Sequence, residues 1–278
     1  MIRWQDYTVL YPGSNHTVVG TIKVLEQLWS PQLENRRDIL VYLPPSYASD
    51  SRQYPVIYMH DGQNLFDRAT SNSGEWEVDE TMQALSAEGI EAMVVGVPHM
   101  GDRRMVEYTP FKSTGFGLYG DGDHYLTFLC ETVKPLIDED FRTLPDRNHT
   151  GIMGSSMGAI ISLYAFFRRP DIFGFAGLLS PAFLIVPRMF GMVEVAAFSA
   201  GKIYMDVGTR EFAEDENPSL YSTAQRYVED ARRMRDLLVE KGYRAGENLI
   251  YREDEGGVHH ESAWARRLPD ALRFLLKD

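Results

Sequence analysis

Residues 149–165, which read HTGIMGSSMGAIISLYA, decide the fold of this chain. A short apolar run ends at Met153, the pentapeptide Gly154-Ser155-Ser156-Met157-Gly158 follows, and an apolar segment with helical spacing comes next. A strand, a tight Gly-Xaa-Ser-Xaa-Gly turn and a helix form the setting that a nucleophile elbow requires. We therefore predict that Ser156 lies at the carboxyl end of a sheet, in front of a helix N-terminus. The alternative is a glycine-rich turn whose serines only cap the helix.

A serine nucleophile needs a base that takes its proton and an acid that orients this base. In the elbow-containing fold, the acid and then the histidine follow the serine along the chain. His259 and His260 are the histidines that follow Ser156, and they lie in a glycine-containing loop between a strand-like run and a helix-like segment. Glycines let such a loop bend sharply towards the elbow. We favour His259 as the base.

The acid is expected just beyond the penultimate strand, which we predict over residues 202–207. Glu211 lies in the loop after this strand, where a carboxylate can turn back towards the histidine. Asp206, within the strand, and Asp215, in an acidic run typical of a solvated loop, remain alternatives.

The oxyanion formed during ester cleavage needs two backbone N–H donors. One is expected from Met157, the residue after the nucleophile, and the other from the loop after the strand at residues 54–59. In that loop Gly62 allows a close turn and Gln63 would present its N–H. The alternative is a turn whose polar side chains satisfy only their own backbone.

The chain resembles the "Putative esterase" family of α/β hydrolases, which includes enzymes of the esterase D, feruloyl esterase, acetyl-xylan esterase and siderophore esterase types. The resemblance covers most of the chain and is carried by VYLPPSY (41–47), YPVIYMHDGQNLFD (54–67), GDRRMVEYTPF (101–111), GIMGSSMGAIISLY (151–164), DIFGFAGLLSPAF (171–183), DVGTRE (206–211) and HHESAW (259–264). It implies an α/β-hydrolase fold in which Ser156 matches the nucleophile, His259 the base and Glu211 the acid.

Strand-like and helix-like segments alternate after the first two strands, which predicts a mainly parallel central sheet with helices on both faces. No insertion is long enough for a large lid domain. The substrate wall is expected from the loops 67–76, 98–122 and 180–200. Their aromatic residues are candidates for an acyl or aromatic pocket: Trp76, Tyr108, Phe116, Tyr119 and Phe183.

Length and charge limit the other functions of the chain. Its 278 residues fit one α/β-hydrolase domain over residues 1–278. The net charge of −12, without a basic stripe, argues against a nucleic-acid partner.

No apolar leader or run of about 18 apolar residues occurs, so we expect no membrane contact and a cytoplasmic location. The carboxylate runs 138–140 and 253–255 lack ligand spacing, and no metal or cofactor is expected. The lone Cys130 is expected to be buried.

We therefore predict a serine carboxylesterase that hydrolyses short-chain acyl or carbohydrate and aryl esters of small molecules through an acyl-enzyme. An acyltransferase that uses the same acyl-enzyme is an alternative. A non-catalytic binding protein of this fold would have lost residues of the triad, and no triad position is lost here. The sequence does not predict the oligomeric state.

Overall fold

A computed structural model describes residues 4–13, 15–111, 119–212 and 218–277 of the chain, with only the backbone for residues 218–221. A nine-stranded sheet forms the centre of these residues. In chain order its strands are β1 (Gln5–Asp6), β2 (Thr21–Ser30), β3 (Asn35–Leu43), β4 (Val56–His60), β5 (Met93–Val97), β6 (Thr150–Ser155), β7 (Phe175–Leu179), β8 (Lys202–Gly208) and β9 (Leu249–Asp254).

The strands lie side by side in the order β1-β2-β3-β5-β4-β6-β7-β8-β9. The pairs from β1 to β5 are antiparallel, and every pair from β5 to β9 is parallel. Parallel neighbours require crossover connections, which here run through helices. The carboxyl ends of β4, β6, β7, β8 and β9 therefore meet at one edge of the sheet, where ligands bind in such folds.

Helices connect and cover the strands. They are α1 (Tyr7–Leu10), α2 (Val78–Ser86), α3 (Arg104–Glu107), α4 (Gly122–Phe128), α5 (Lys134–Asp140), α6 (Met157–Arg168), α7 (Arg188–Val195), α8 (Pro218–Glu240) and α9 (Glu261–Leu276). None of the described helices is both long and apolar enough to cross a bilayer.

The sheet separates two hydrophobic cores because alternate side chains of a strand point to opposite faces. In β4, Val56 and Tyr58 pack in the core that also contains α6, whereas Ile57 and Met59 pack in the core that contains α2 and α9. Cys130 is buried in the first core, as the sequence predicts. Helices on both faces of a mainly parallel sheet confirm the predicted architecture.

The helical segment that runs from α4 to α5 contains a wide turn. The segment Leu129–Val133 has π-helical geometry and joins α4 to α5. Pro135 explains this widening, because it has no N–H for the carbonyl four residues earlier and its ring would collide with that carbonyl. In the loop predicted over residues 180–200, the structure contains the short helix α7.

Candidate active site

Ser156 lies at the turn between β6 and α6, as the sequence predicts. Its backbone dihedrals of φ 54° and ψ −119° are strained for a residue with a side chain. Two neighbours hold this conformation: the Ser156 N–H donates to the carbonyl of Leu179 at 2.9 Å, and its own carbonyl accepts the N–H of Ala182 at 3.3 Å. The end of β7 therefore supports the strained turn.

The two glycines of the elbow differ in how strictly they are required. A Cβ atom on Gly154 would lie 2.9 Å from the backbone of Gly158 and 2.9 Å from the ring of His60, which leaves no room for it. A Cβ atom on Gly158 would lie 3.3 Å from the nearest atom of His60, a tight contact that a small shift could relieve. The close approach of β4, β6 and α6 therefore depends most on Gly154.

His259 and Glu211 form a hydrogen-bonded pair. Nδ1 of His259 lies 2.6 Å from Oε2 of Glu211, and both side chains are buried. An ionised carboxylate has no proton to donate, so Nδ1 carries the proton and Nε2 of the neutral ring is left as an acceptor. This is the tautomer that a general base requires.

The loops that carry this pair are tied to each other. The N–H of Arg210 donates to the carbonyl of Gly257 at 2.9 Å, and a Cβ atom on Gly208 would lie 2.2 Å from that same carbonyl oxygen. The glycine after β8 thus lets the two loops approach closely enough for Glu211 to reach His259.

Ser180 completes the environment of the Glu211 carboxylate. Its hydroxyl donates to Oε1 of Glu211 at 2.5 Å, and the N–H of Gly208 donates to the same oxygen at 2.7 Å. The Ser180 oxygen in turn accepts from Nε1 of Trp264 at 3.0 Å and from Nη2 of Arg267 at 2.8 Å. A hydroxyl has one donor and two acceptor positions, and all three are used here.

Three aromatic rings enclose His259. Phe212 stacks on its imidazole with centroids 4.1 Å apart, and Tyr227 and Trp264 approach edge-on at 5.4 and 5.1 Å. Packing from three sides fixes the ring orientation that the Glu211 hydrogen bond selects. No role was predicted for these residues or for Ser180, although Ser180 and Trp264 lie in segments that carry the family resemblance. The position of Ser180 directly after β7, at the ligand-binding edge, is a further signal that could have found it.

The remaining acid and base candidates have other partners. Asp206 is completely buried and its Oδ2 lies 3.3 Å from Nε of Arg267. Burial raises the pKa of Asp206 to about 7, Arg267 opposes this shift and Glu211 adds to it. His260 begins α9, where its Nδ1 accepts the N–H of Ser262 at 3.2 Å. Asp215 lies outside the described residues.

Ser156 and His259 line one cavity of about 300 Å³. The described residues that line it are mostly polar: Asp61, Asn64, Ser73, His99, Arg104, Ser155, Ser156, His259, His260, Glu261 and Trp264. Ligand cavities are usually lined mainly by apolar side chains, so this composition favours a substrate with several polar groups.

Arg104 and Asp61 form a two-bond ion pair in the cavity wall. Nε and Nη2 of Arg104 lie 2.7 and 2.8 Å from the two oxygens of Asp61. Burial acts to raise the pKa of Asp61, but the Arg104 guanidinium outweighs it and holds this pKa below its ordinary value. The pair therefore places a fixed dipole, rather than a free charge, beside Ser156.

Met157 and Gln63, the residues expected to supply the oxyanion donors, lie in different elements. The N–H of Met157 is the first of α6, and the first N–H groups of a helix have no partner within it. Gln63 lies in the single helical turn Gly62–Asn64 after β4. Its side chain faces a second cavity rather than that of Ser156, and its Oε1 accepts the N–H of His99 at 3.2 Å. The Nε2 of Gln63 is buried without a hydrogen-bond partner among the described residues, and the donor role expected of its backbone N–H stays a prediction.

The described aromatic residues that were candidates for the substrate pocket do not line the Ser156 cavity. Trp76, Tyr108 and Phe183 are buried core residues, and Tyr119 is 79% exposed. None of them lines the Ser156 cavity. Phe116 lies outside the described residues. The buried aromatic side chains of these loops pack in the hydrophobic cores instead. Burial of a large ring in a core stabilises the fold more than its exposure at a polar cavity would.

Glu261, in the first turn of α9, makes stability depend on pH. Burial raises its pKa to about 7, although Asn64 donates a hydrogen bond to its Oε1 at 3.2 Å. Between its ordinary pKa of about 4.3 and pH 7 the folded state holds a proton that the unfolded state has lost, so stability falls as pH rises through this window. Relative to Glu261→Gln, wild type should lose about 2–3 kcal/mol of unfolding free energy between pH 5 and pH 8.

Urea denaturation of both proteins at the two pH values measures this loss. Both proteins retain Asp206, so its contribution cancels when their pH-dependent changes in unfolding free energy are subtracted. Glu229→Gln, which neutralises an exposed carboxylate on α8, is the control and should follow wild type. Equal pH dependence of wild type and Glu261→Gln would show that Glu261 titrates normally.

The chain is similar to known proteins in both sequence and fold. The family model described as "Putative esterase" matches residues 30–275. The chain is 27% identical over 251 residues to "Uncharacterized protein YbbA" of Bacillus subtilis, covering 87% of this chain and 92% of that protein. It is 25% identical over 280 residues to an "Endo-1,4-beta-xylanase/feruloyl esterase" of Xylanibacter ruminicola, covering 98% of this chain but 33% of that protein.

A solved structure described as siderophore hydrolase EstA from Aspergillus nidulans has the same fold. It matches with a TM-score of 0.67 and 20% identity, over 91% of this chain and 93% of that chain. The family model covers far more than half of the chain, and the matched region contains the elbow and both loops of the His259–Glu211 pair. The chain belongs to the "Putative esterase" family and is an α/β-hydrolase-fold enzyme that acts on carboxylic ester bonds.

Proposed function

We propose that this esterase is a serine carboxylesterase that uses Ser156 as nucleophile, His259 as base and Glu211 as the acid that orients the base. The observation that carries the proposal is the 2.6 Å contact between His259 Nδ1 and Glu211 Oε2, because it leaves Nε2 able to accept a proton in the cavity that Ser156 lines. Asp206 is a weaker candidate for the acid, since its carboxylate pairs with Arg267.

In the acylation step, Oγ of Ser156 attacks the ester carbonyl carbon while Nε2 of His259 takes the hydroxyl proton. The N–H groups of Met157 and Gln63 donate to the oxyanion, and the N-terminus of α6 adds a favourable field. When the tetrahedral intermediate collapses, the bond to the alcohol breaks and His259 gives its proton to the departing oxygen.

In the deacylation step, a water molecule takes the place of the alcohol. His259 accepts its proton as the water oxygen attacks the acyl carbon, and the proton then passes to Oγ of Ser156 as the acid leaves. Glu211 holds the imidazole in one tautomer throughout and stabilises its positive charge in each transition state, without becoming protonated itself.

The cavity supports short or hydroxylated substrates. Its volume of about 300 Å³ accommodates a small acyl or aryl group, and its polar side chains offer hydrogen bonds to the hydroxyl groups of a substrate. The name of one relative includes a feruloyl esterase, which supports an aryl ester as a substrate. We therefore propose short-chain acyl, carbohydrate and aryl esters as the substrate class.

A series of p-nitrophenyl esters tests both the activity and the substrate class. The acetate and butyrate esters should be cleaved with a kcat/KM at least about tenfold above that of the decanoate ester, because a long acyl chain does not fit a cavity of about 300 Å³ together with the leaving group. Methyl ferulate, assayed by release of the acid, serves as the aryl ester. A folded enzyme that prefers the decanoate would contradict the substrate class, and one that cleaves no ester of the series would contradict the proposed activity.

A further inference from the structure

An acidic cluster lies outside the Ser156 cavity, at the start of α2. Glu75, Asp79 and Glu80 each place a carboxylate oxygen within 4.8 Å of the other two. Two oxygens bound to one Ca²⁺ at about 2.3–2.6 Å can lie at most about 5 Å apart, so this spacing suits a single ion. The sequence analysis did not weigh this cluster, because residues 75, 79 and 80 match no known loop of cation ligands.

The cluster also contains buried oxygens without a partner. Asp79 is completely buried, yet its Oδ1 has no hydrogen-bond partner among the described residues, and the same is true of the buried Oε2 of Glu80. The other oxygen of Asp79 is satisfied by the N–H of Val19 at 2.7 Å. An unpaired buried carboxylate oxygen costs free energy, so a group that the protein alone does not supply should satisfy these atoms.

Acidic side chains lie together at this cluster. Glu80, Asp67 and Glu77 are the strongest charged neighbours of Glu75 among the described residues. The Asp79 carboxylate lies within 4.8 Å of those of both Glu75 and Glu80. Like charges this close cannot all remain ionised in a buried site, so either a bound proton or a bound cation must neutralise them.

We propose that Glu75, Asp79 and Glu80 bind a divalent cation of the Ca²⁺ type. All three ligands are hard carboxylate oxygens, which Ca²⁺ accepts in irregular and flexible arrangements, whereas Mg²⁺ demands a near-octahedral shell and retains more water. A divalent ion also removes two of the three negative charges, while one shared proton removes only one. Thr17 orients the outermost ligand, because its hydroxyl lies 2.8 and 2.9 Å from the two oxygens of Glu75.

The proposed site lies behind one wall of the catalytic cavity. Ser73 lines that cavity, and Glu75 follows it by two positions. Trp76, the next residue, packs on Trp264 at 5.5 Å, and Trp264 contacts His259. A cation held by Glu75 would therefore fix the segment between the cavity wall and α2, and it would change the environment of the buried Trp76 ring.

Calcium binding to the full chain can be measured without any assay of activity. After removal of metal with a chelator, titration calorimetry with CaCl₂ at pH 8 should give one site per chain, and Ca²⁺ at ten times its dissociation constant should raise Tm by about 2–5 °C. NaCl of equal ionic strength should not reproduce the shift. MgCl₂ should bind at least about tenfold more weakly.

Matched variants separate a specific site from general charge screening. Asp79→Asn and Glu75→Gln should each weaken Ca²⁺ binding at least about tenfold, whereas Glu139→Gln, an exposed carboxylate elsewhere, should bind like wild type. Glu75 is only half-buried, so its variant decides the outcome if Asp79→Asn does not fold. No binding heat and no Tm shift beyond that of NaCl, or equal shifts in wild type and both cluster variants, would overturn the proposal and leave a shared proton as the neutralising group.

Discussion

Replacing Ser156 by alanine is expected to lower kcat for p-nitrophenyl acetate by at least about 10⁴-fold. Without the hydroxyl no acyl-enzyme forms, and the remaining oxyanion donors and binding contacts can only assist a direct attack by water. The fold should persist, because the hydrogen bonds that hold the elbow use the backbone of Ser156 and not its side chain.

Release of p-nitrophenol by wild type and Ser156→Ala measures the effect, and circular dichroism checks the fold. Ser162→Ala is the matched control: it removes a hydroxyl from α6, where Ser162 donates to the carbonyl of Gly158 at 2.7 Å, and it leaves the cavity unchanged. This control should stay within about threefold of wild type. A Ser156→Ala enzyme with more than a tenth of wild-type kcat would rule out Ser156 as the nucleophile.

The elbow and the parallel sheet could be predicted because their causes are local. Gly154 and Gly158 flank Ser156 with the spacing of a nucleophile elbow, and apolar runs of strand and helix period surround them. The wide turn before α5 also has a local cause, Pro135. The sequence does not reveal it, because the helical spacing of apolar residues continues through the turn. Short helices such as α7 are too brief for a reliable periodic signal.

The partners of the two candidate acids, Asp206 and Glu211, depend on contacts between segments that are distant in the chain. Whether Asp206 or Glu211 faces His259 is set by Arg267, which lies in α9 and pairs with Asp206. Ser180 contacts Glu211 and residues of α9 across long stretches of chain, and no pattern in the sequence joins them. The cavity wall could not be predicted for the same reason: a loop aromatic can line a pocket or pack in a core, and Trp76, Tyr108 and Phe183 pack in the two cores.

Replacing Glu211 by glutamine is expected to lower kcat about 10³–10⁴-fold, with little change in KM. The Ser180 hydroxyl and the Gly208 N–H both donate to Oε1 of Glu211, so an amide nitrogen cannot occupy that position without opposing two donors. The NH₂ group must therefore take the position of Oε2, where it donates to Nδ1 of His259. The imidazole then carries its proton on Nε2 and can no longer accept one from Ser156.

Two measurements distinguish this tautomer effect from a general loss of structure. Nitrogen NMR shifts of the His259 ring should show the proton on Nδ1 in wild type and on Nε2 in Glu211→Gln. Asp206→Asn is the comparison: it should keep kcat within about tenfold and lose about 1–3 kcal/mol of stability, because the buried Arg267 guanidinium loses one carboxylate neighbour but keeps Asp254 and the Ser180 hydroxyl. If Asp206→Asn abolishes turnover while Glu211→Gln retains it, Asp206 acts as the acid, and the 2.6 Å contact of Glu211 with His259 has only a structural role.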